Sequence, residues 1–267
     1  MSISNLNVVT METDPHPWIV ALRKSQDRLS SLVQALTPEQ LRGPSYHAWS
    51  IAEVLGHMGS QAEIFMGWVT NALEGTEPAG RESMQPIWNA WDTRSPDEKA
   101  ADSLSANERL VQRFEGLSED EFARMHLNLF GTELDAAGLP RLRLAEHALH
   151  VWDIAVALDP TAQVAPDAVA LLIDTLGPLA GRVGTPQGKS FRLHVHTSGP
   201  ARELLLQAGD AVELGDWDGG TADGQLTISA EAFVRLVYGR LDPDHAPPVE
   251  LTGPVSVDDL RDIFPGV

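Results

Sequence analysis

The sequence predicts a two-domain α+β protein, an N-terminal four-helix bundle followed by a small α+β domain. Three observations predict it. Apolar residues recur every three or four positions from Trp18 to about Leu158, the period of helices that turn one face to a core. Beyond the stretch GTPQGKS the period drops to two, with Phe191, Leu193 and Val195 alternating with Arg192, His194 and His196, as in strands with one buried face. A length of 267 residues and a hydrophobic content of 43% are enough for one large domain or two ordinary ones. The expected layout is a flexible tail over 1–14, a helical domain over 15–160, a helix and linker over 161–188, and the α+β domain over 189–267.

The first helix follows DPHPW and presents Trp18, Leu22, Ser25, Leu29, Leu32 and Leu36 on one face. LTPEQL then sets Thr37 and Gln40 at capping-box spacing with Pro38 at the first helical position, which predicts a short helical turn. In WSIAEVLGHMG, Ser50 and Glu53 repeat the capping box, and Trp49 stands where a hydrophobic staple would. The helix they start should run from Ile51 to about Leu73 and bury Ile51, Val54, Leu55, Met58, Ala62 and Phe65. Gly56 and Gly59 lie inside it, each costing about 1 kcal/mol relative to alanine. They imply a close helix–helix approach or crowding around a bound group.

EGTEPAGRESMQP reads as a loop, and Ser95 and Pro96 open a third helix with Leu104, Leu110, Val111 and Phe114 inward. The fourth runs from Pro140 to about Leu158, and one more is expected from Asp167 to about Leu179. ARELLLQAG, AVELGDW, GQLTISA and VELTG are short strands separated by Gly/Asp turns, interrupted by a helix in SAEAFVRLVYGRL.

Net charge is −19, from 38 acidic and 19 basic residues. Such a chain repels phosphate backbones, so neither nucleic acid nor an anionic membrane surface is expected as a partner. There is no cysteine, which excludes disulfides and a protein thiolate as nucleophile. Any thiol chemistry must use sulfur brought by a small molecule. The opening MSISNLNVVTMETD has neither the basic start nor the apolar core of a signal peptide, and no apolar run approaches membrane-spanning length. A cytoplasmic protein is expected.

The chemistry concentrates in RLAEHALHVWDIA, Arg143 to Ala155. Burying several ionisable groups in a helical interior is costly unless something compensates. Glu146 and His150 project within about 40° of each other, one turn apart, whereas His147 lies about 100° round the helix. An E-x-x-x-H pair offers a carboxylate and an imidazole, ligands that catalytic zinc accepts with a third protein ligand and an open position. His57, on the second long helix between Gly56 and Met58, is the best third ligand, since bundle helices converge on a common core. The same residues are also compatible with a hydrogen-bonded core histidine and with an intrahelical Glu–His pair worth a few tenths of a kcal/mol. His147 is expected in a supporting or exposed position. Asp153 either orients the other nitrogen of His150 or pairs with Arg143 or solvent. His194 and His196 share one strand face, as a metal pair or, more simply, as exposed surface residues.

HAWSIAEVLGHMG followed by AEHALHVWDIA resembles the DinB-like, mycothiol-dependent maleylpyruvate isomerase family of actinobacteria. FRLHVHTSG, GQLTISAEAFVRLVYGRL and VELTGPV resemble its C-terminal domain, which is similar to sterol-carrier folds. The resemblance implies a DinB-like bundle with a sterol-carrier-like domain, and Zn2+ held by His57, Glu146 and His150. It further implies mycothiol as thiol cosubstrate and a small electrophile, carboxylated in the maleylpyruvate case, as the second substrate. Arg240, in the GR pair ending the C-terminal helix, would bind the anionic substrate in the cleft; capping that helix's dipole is the alternative. Arg240 and Asp153 are thus the expected catalytic residues. The implied reaction is S-transfer or cis–trans isomerisation. The rivals are a thiol-independent metal-dependent hydrolase and a non-catalytic small-ligand-binding protein with a structural metal.

Overall fold

A computed structural model describes residues 14–46 and 48–266; the tail expected over 1–14 lies, except for Asp14, outside the described residues. Among the described residues, seven α-helices and a hairpin make up the N-terminal region: α1 (His16–Gln34), α2 (Pro38–Arg42), α3 (Ile51–Glu74), α4 (Gln85–Asp92), α5 (Pro96–Glu115), α6 (Glu119–Phe122), the strands β1 (Leu127–Leu129) and β2 (Thr132–Leu134), and α7 (Gly138–Leu158). The long members are α1, α3, α5 and α7, so the helical architecture read from the periodicity is the one found.

By its packing the chain divides into two compact units, the first ending at His147 and the second beginning at Ala148. The division falls inside α7. The helix itself ends at Leu158.

Within the first unit, α5 packs along α3 and against α1. Leu22, Leu29, Ile51, Leu55, Met58, Leu110 and Phe114 fill the interior. The capping boxes at Thr37/Gln40, Ser50/Glu53 and Ser95/Glu98 are all formed, and a further one opens α6 at Ser118/Glu121. The buried face of α1 passes through Val33, leaving Leu32 and Leu36 half-buried. The segment read as a loop carries a 3₁₀ turn, Arg81–Met84, and then α4. That helix accounts for Gly59: a Cβ there would lie 2.1 Å from Cη2 of Trp91. The glycine admits an indole from α4. The β1–β2 hairpin turns at Phe130 and Gly131, with φ of 52° and 90°. Positive φ at both central positions is the type I′ requirement that Asn-Gly normally advertises, and a phenylalanine there hid it.

In the second unit α8 (Pro166–Leu172), a 3₁₀ turn at Ile173–Thr175 and α9 (Leu176–Val183) replace the single helix expected over 167–179. Pro178 is the physical reason. In a continuous helix its ring would clash with the carbonyl of Asp174, whereas in the first turn of α9 its missing N–H costs nothing.

The sheet contains β3 (Phe191–Ser198), β4 (Arg202–Ala208), β5 (Val212–Asp216), β6 (Gly224–Ser229) and β7 (Glu250–Leu251), with α10 (Ala230–Val237) between β6 and β7 and α11 (Val257–Ile263) after them. Strand order is β5-β4-β3-β6-β7, and only β3 and β6 run parallel. Phe191, Leu193, Val195, Leu204, Leu206, Leu226 and Ile228 are buried, while Arg192, His194, His196 and Glu203 lie on the opposite, more open face. α9 packs on β5, and α10 on β6 and β3. The α+β class is therefore observed. No helix among the described residues is long and apolar enough to cross a membrane.

Candidate metal centre

The capping box at Ser50 fixes where α3 starts, and so fixes the direction in which His57 leaves it. Glu146 and His150 leave α7 one turn apart. One donor atom from each of His57, Glu146 and His150 lies within 4.8 Å of the others. His57 Nε2 stands 3.4 Å from Glu146 Oε2, long for a hydrogen bond between such groups. Ligands bound tetrahedrally to one zinc at about 2.0–2.2 Å lie roughly 3.3 Å from each other. The spacing therefore suits a shared cation better than a direct contact. Two imidazoles and a carboxylate, each only partly buried, are also the right chemical set for a divalent ion. Trp49 does not close over the apolar side of its helix as a staple. It is 46% exposed, with its ring centroid 5.4 Å from that of His57.

Asp153 stands behind His150. Its Oδ2 lies 2.8 Å from His150 Nδ1, so Nδ1–H donates to the carboxylate and Nε2 is the nitrogen left to ligate. The same carboxylate accepts from Arg240 Nε at 2.8 Å and Nη2 at 2.9 Å. Burial alone would raise Asp153, but the hydrogen bonds and charges of His150 and Arg240 hold it below the usual carboxylate range. Of the partners open to Asp153 from the sequence, the structure selects His150 and adds Arg240. Arg240 is buried, and its Nη1 also donates to the Tyr238 carbonyl at the end of α10 at 3.0 Å, the contact expected of a C-terminal cap.

Arg143 goes elsewhere. Fully buried, it donates through Nη2 to the Met58 carbonyl at 3.0 Å and to Asn107 Oδ1, while its Nε has no hydrogen-bond partner among the described residues. Burial pulls its guanidinium down to about 10, against the opposing charge of Glu146. Of the two positions open to His147, the exposed one is excluded: it is buried, with Ser25 Oγ at 2.8 Å and Gln26 Oε1 at 3.2 Å. The signal was Ser25, a polar residue in the apolar stripe of α1. His194 and His196 are half-buried rather than exposed, and gather with Glu203 into a second group of possible ligands.

A family model described as the mycothiol maleylpyruvate isomerase N-terminal domain matches residues 22–155. The chain belongs to that family. His57, Glu146, His150 and Asp153 all lie in the matched span, whereas Arg240 lies beyond it. Among solved structures, the mycothiol-dependent maleylpyruvate isomerase superposes with a TM-score of 0.66 at 15% identity, covering 91% of this chain and 95% of the other. A histidine-to-alanine mutant of that enzyme gives the same figures. Identity this low establishes a common fold for the isomerase-family chain, and the coverage extends it past the N-terminal domain. YfiT from Bacillus subtilis, described as a probable metal-dependent hydrolase with an unusual four-helix bundle topology, aligns over 59% of this chain and 90% of its own at 15% identity, with a TM-score of only 0.39. No curated protein sequence matches the chain.

Proposed function

We propose that this chain is a zinc- and mycothiol-dependent enzyme that activates a thiol for attack on a small electrophile. The observation that carries the reading is the convergence of His57, Glu146 and His150, with Asp153 bound to the far nitrogen of His150. Family membership supports the mycothiol dependence. In this reading His57, Glu146 and His150 hold the ion. When bound, it supplies positive charge that lowers the pKa of a thiol placed beside it.

An aqueous thiol near pKa 8.5 is only a few per cent ionised at pH 7, so each unit of depression yields up to about tenfold more thiolate. The thiolate adds to an unsaturated carbon of the acceptor, forming a C–S bond as the π pair of the double bond moves onto the conjugated carbonyl as an enolate. The enolate takes up a proton if the C–S bond is kept; with monochlorobimane the thiolate instead displaces chloride. Rotation about the former double bond followed by loss of the thiol gives cis–trans isomerisation; retention of the C–S bond gives an S-conjugate. Asp153 keeps His150 in one tautomer and orientation, and Arg240, through its two hydrogen bonds, keeps Asp153 ionised and in place. An acceptor carboxylate reaching Arg240 must share it with Asp153, so Arg240 serves first as a positioning residue in this scheme. Trp49, exposed beside His57, offers an apolar surface at the same place.

Metal analysis tests the reading. After dialysis against metal-free buffer, wild type should retain zinc near one ion per chain, and His57→Ala, Glu146→Ala and His150→Ala should lose most of it. Full occupancy in all three variants would remove the site. The zinc form is then mixed with mycothiol and either maleylpyruvate or monochlorobimane. Turnover should require the thiol; cleavage of esters or amides at a rate indifferent to thiol would make the protein a hydrolase instead.

A further inference from the structure

The sheet carries a second cluster that the proposed reaction does not use. His194 and His196 leave the same face of β3 two residues apart, and His196 pairs across the ladder with Glu203 of β4. One donor atom from each of the three lies within 4.8 Å of the others. Glu203 Oε2 is 2.6 Å from His194 Nε2 and 2.7 Å from His196 Nδ1, so both imidazoles close on one carboxylate. Yet His194 Nε2 is buried and has no well-formed hydrogen bond among the described residues, and an ion between the three side chains would widen its 2.6 Å contact with Glu203 to the roughly 3.3 Å of shared ligands. The nitrogen is desolvated with only a poorly formed contact to Glu203, a cost that a better-placed partner would meet.

The rings are also fixed in place. Trp217 stacks on His194 at 3.9 Å and 14°, and the His196 ring lies 3.9 Å away on a tilt. Neighbouring strands hold the three side chains, a more exact support than loops provide.

We propose that His194, His196 and Glu203 form a second divalent-metal site on the open face of the sheet, for an ion of the zinc, nickel or copper class. Two imidazoles and a carboxylate suit these ions rather than magnesium or calcium, which prefer all-oxygen sets. Three protein ligands leave a coordination position for water or an external ligand. Glu203 is 58% exposed, which makes the site open to exchange and weaker than the helical one. The inference stands on second-unit residues alone, and does not depend on what the helical site does.

Tag-free full-length protein, stripped by chelator and titrated with zinc in a calorimeter, tests it. Wild type should show two binding events. The weaker should be lost, or weakened by at least about tenfold, in His196→Ala and in Glu203→Gln, and should persist in His57→Ala. Circular dichroism should confirm that each variant is folded. Copper gives an independent readout: an ion on His194 should quench the Trp217 indole, so Trp217→Phe should remove the part of the quenching that His196→Ala also removes. Absence from wild type of any binding event that both His196→Ala and Glu203→Gln remove or weaken overturns the proposal, whatever the number of events. Loss of the stronger event in His57→Ala is read separately and bears only on the helical site.

Discussion

Asp153 accepts three hydrogen bonds while almost completely buried, and the two groups that donate them come from different stretches of the chain. Removing one partner of a buried ion pair costs about 3–5 kcal/mol, because the other is left charged and unpaired. Arg240→Met should lower stability to urea by roughly that amount, and Asp153→Asn by less, since the amide still accepts a hydrogen bond. The double variant should cost less than the sum of the two; strict additivity would show that they do not act as a pair. Losing the carboxylate that orients a metal-binding histidine typically weakens metal affinity about 10–100-fold. On the proposed metal reading, Asp153→Asn should therefore release zinc more readily than wild type, as measured by competition with a chelating dye. At this scale the sequence was legible where the chemistry is local. Glu146 and His150 share a helix face, and Asp153 follows three residues on. It was illegible where partners are remote, as for Arg240 on Asp153, or Ser25 and Gln26 on His147. No periodicity along one helix specifies what another brings to it.

Among the elements, α3 shows two preferences in conflict at Gly59. Alanine would favour the helix by about 1 kcal/mol, but its Cβ would fall within 2.1–2.7 Å of three Trp91 ring atoms. The indole cannot yield freely, because Arg94 lies across it with its guanidinium carbon 3.7 Å from the ring centroid. Overpacking of this kind costs about 1–3 kcal/mol, so Gly59→Ala should be net destabilising and lower Tm; a rise in Tm would show that α4 moves aside. Long elements with capping boxes were readable from sequence, because a serine or threonine with a glutamate or glutamine three positions later states where a helix begins. Short elements without such a signal were not. α4, the hairpin through Phe130 and the break at Pro178 depend on packing or on a single backbone conformation, and leave too few residues for a period to emerge.

Over the whole molecule the dominant fact is an excess of 19 negative charges. At neutral pH this self-repulsion opposes compaction, and at 0.1 M salt it is screened beyond about 10 Å. Tm should therefore rise with moderate sodium chloride. Acid acts through particular carboxylates. Glu53, Glu98 and Glu121 are held low by the backbone N–H of Ser50, Ser95 and Ser118 respectively, and Asp259 is pushed down to about 2 by Lys189 and the Ser256 cap. Each folded pKa lies below its unfolded value, so the stability it provides is complete above the unfolded value and is lost as pH falls through the folded one. The urea midpoint should stay level down to about pH 5, then decline as these carboxylates protonate. A decline already finished at pH 6 would implicate histidines instead.

Arg143, Glu146, His147, His150 and Asp153 all hang from one uninterrupted rod, α7. The engagements of Arg143 with Asn107, Glu146 with His57, His147 with Ser25, His150 with Asp153 and Asp153 with Arg240 all depend on the spacing along that helix, like cams on one shaft. Adding a residue at 148 would turn every later side chain by about 100°, uncoupling His150 and Asp153 from the rest while leaving each chemically intact. The spacing between these residues is thus as much a requirement as their identity.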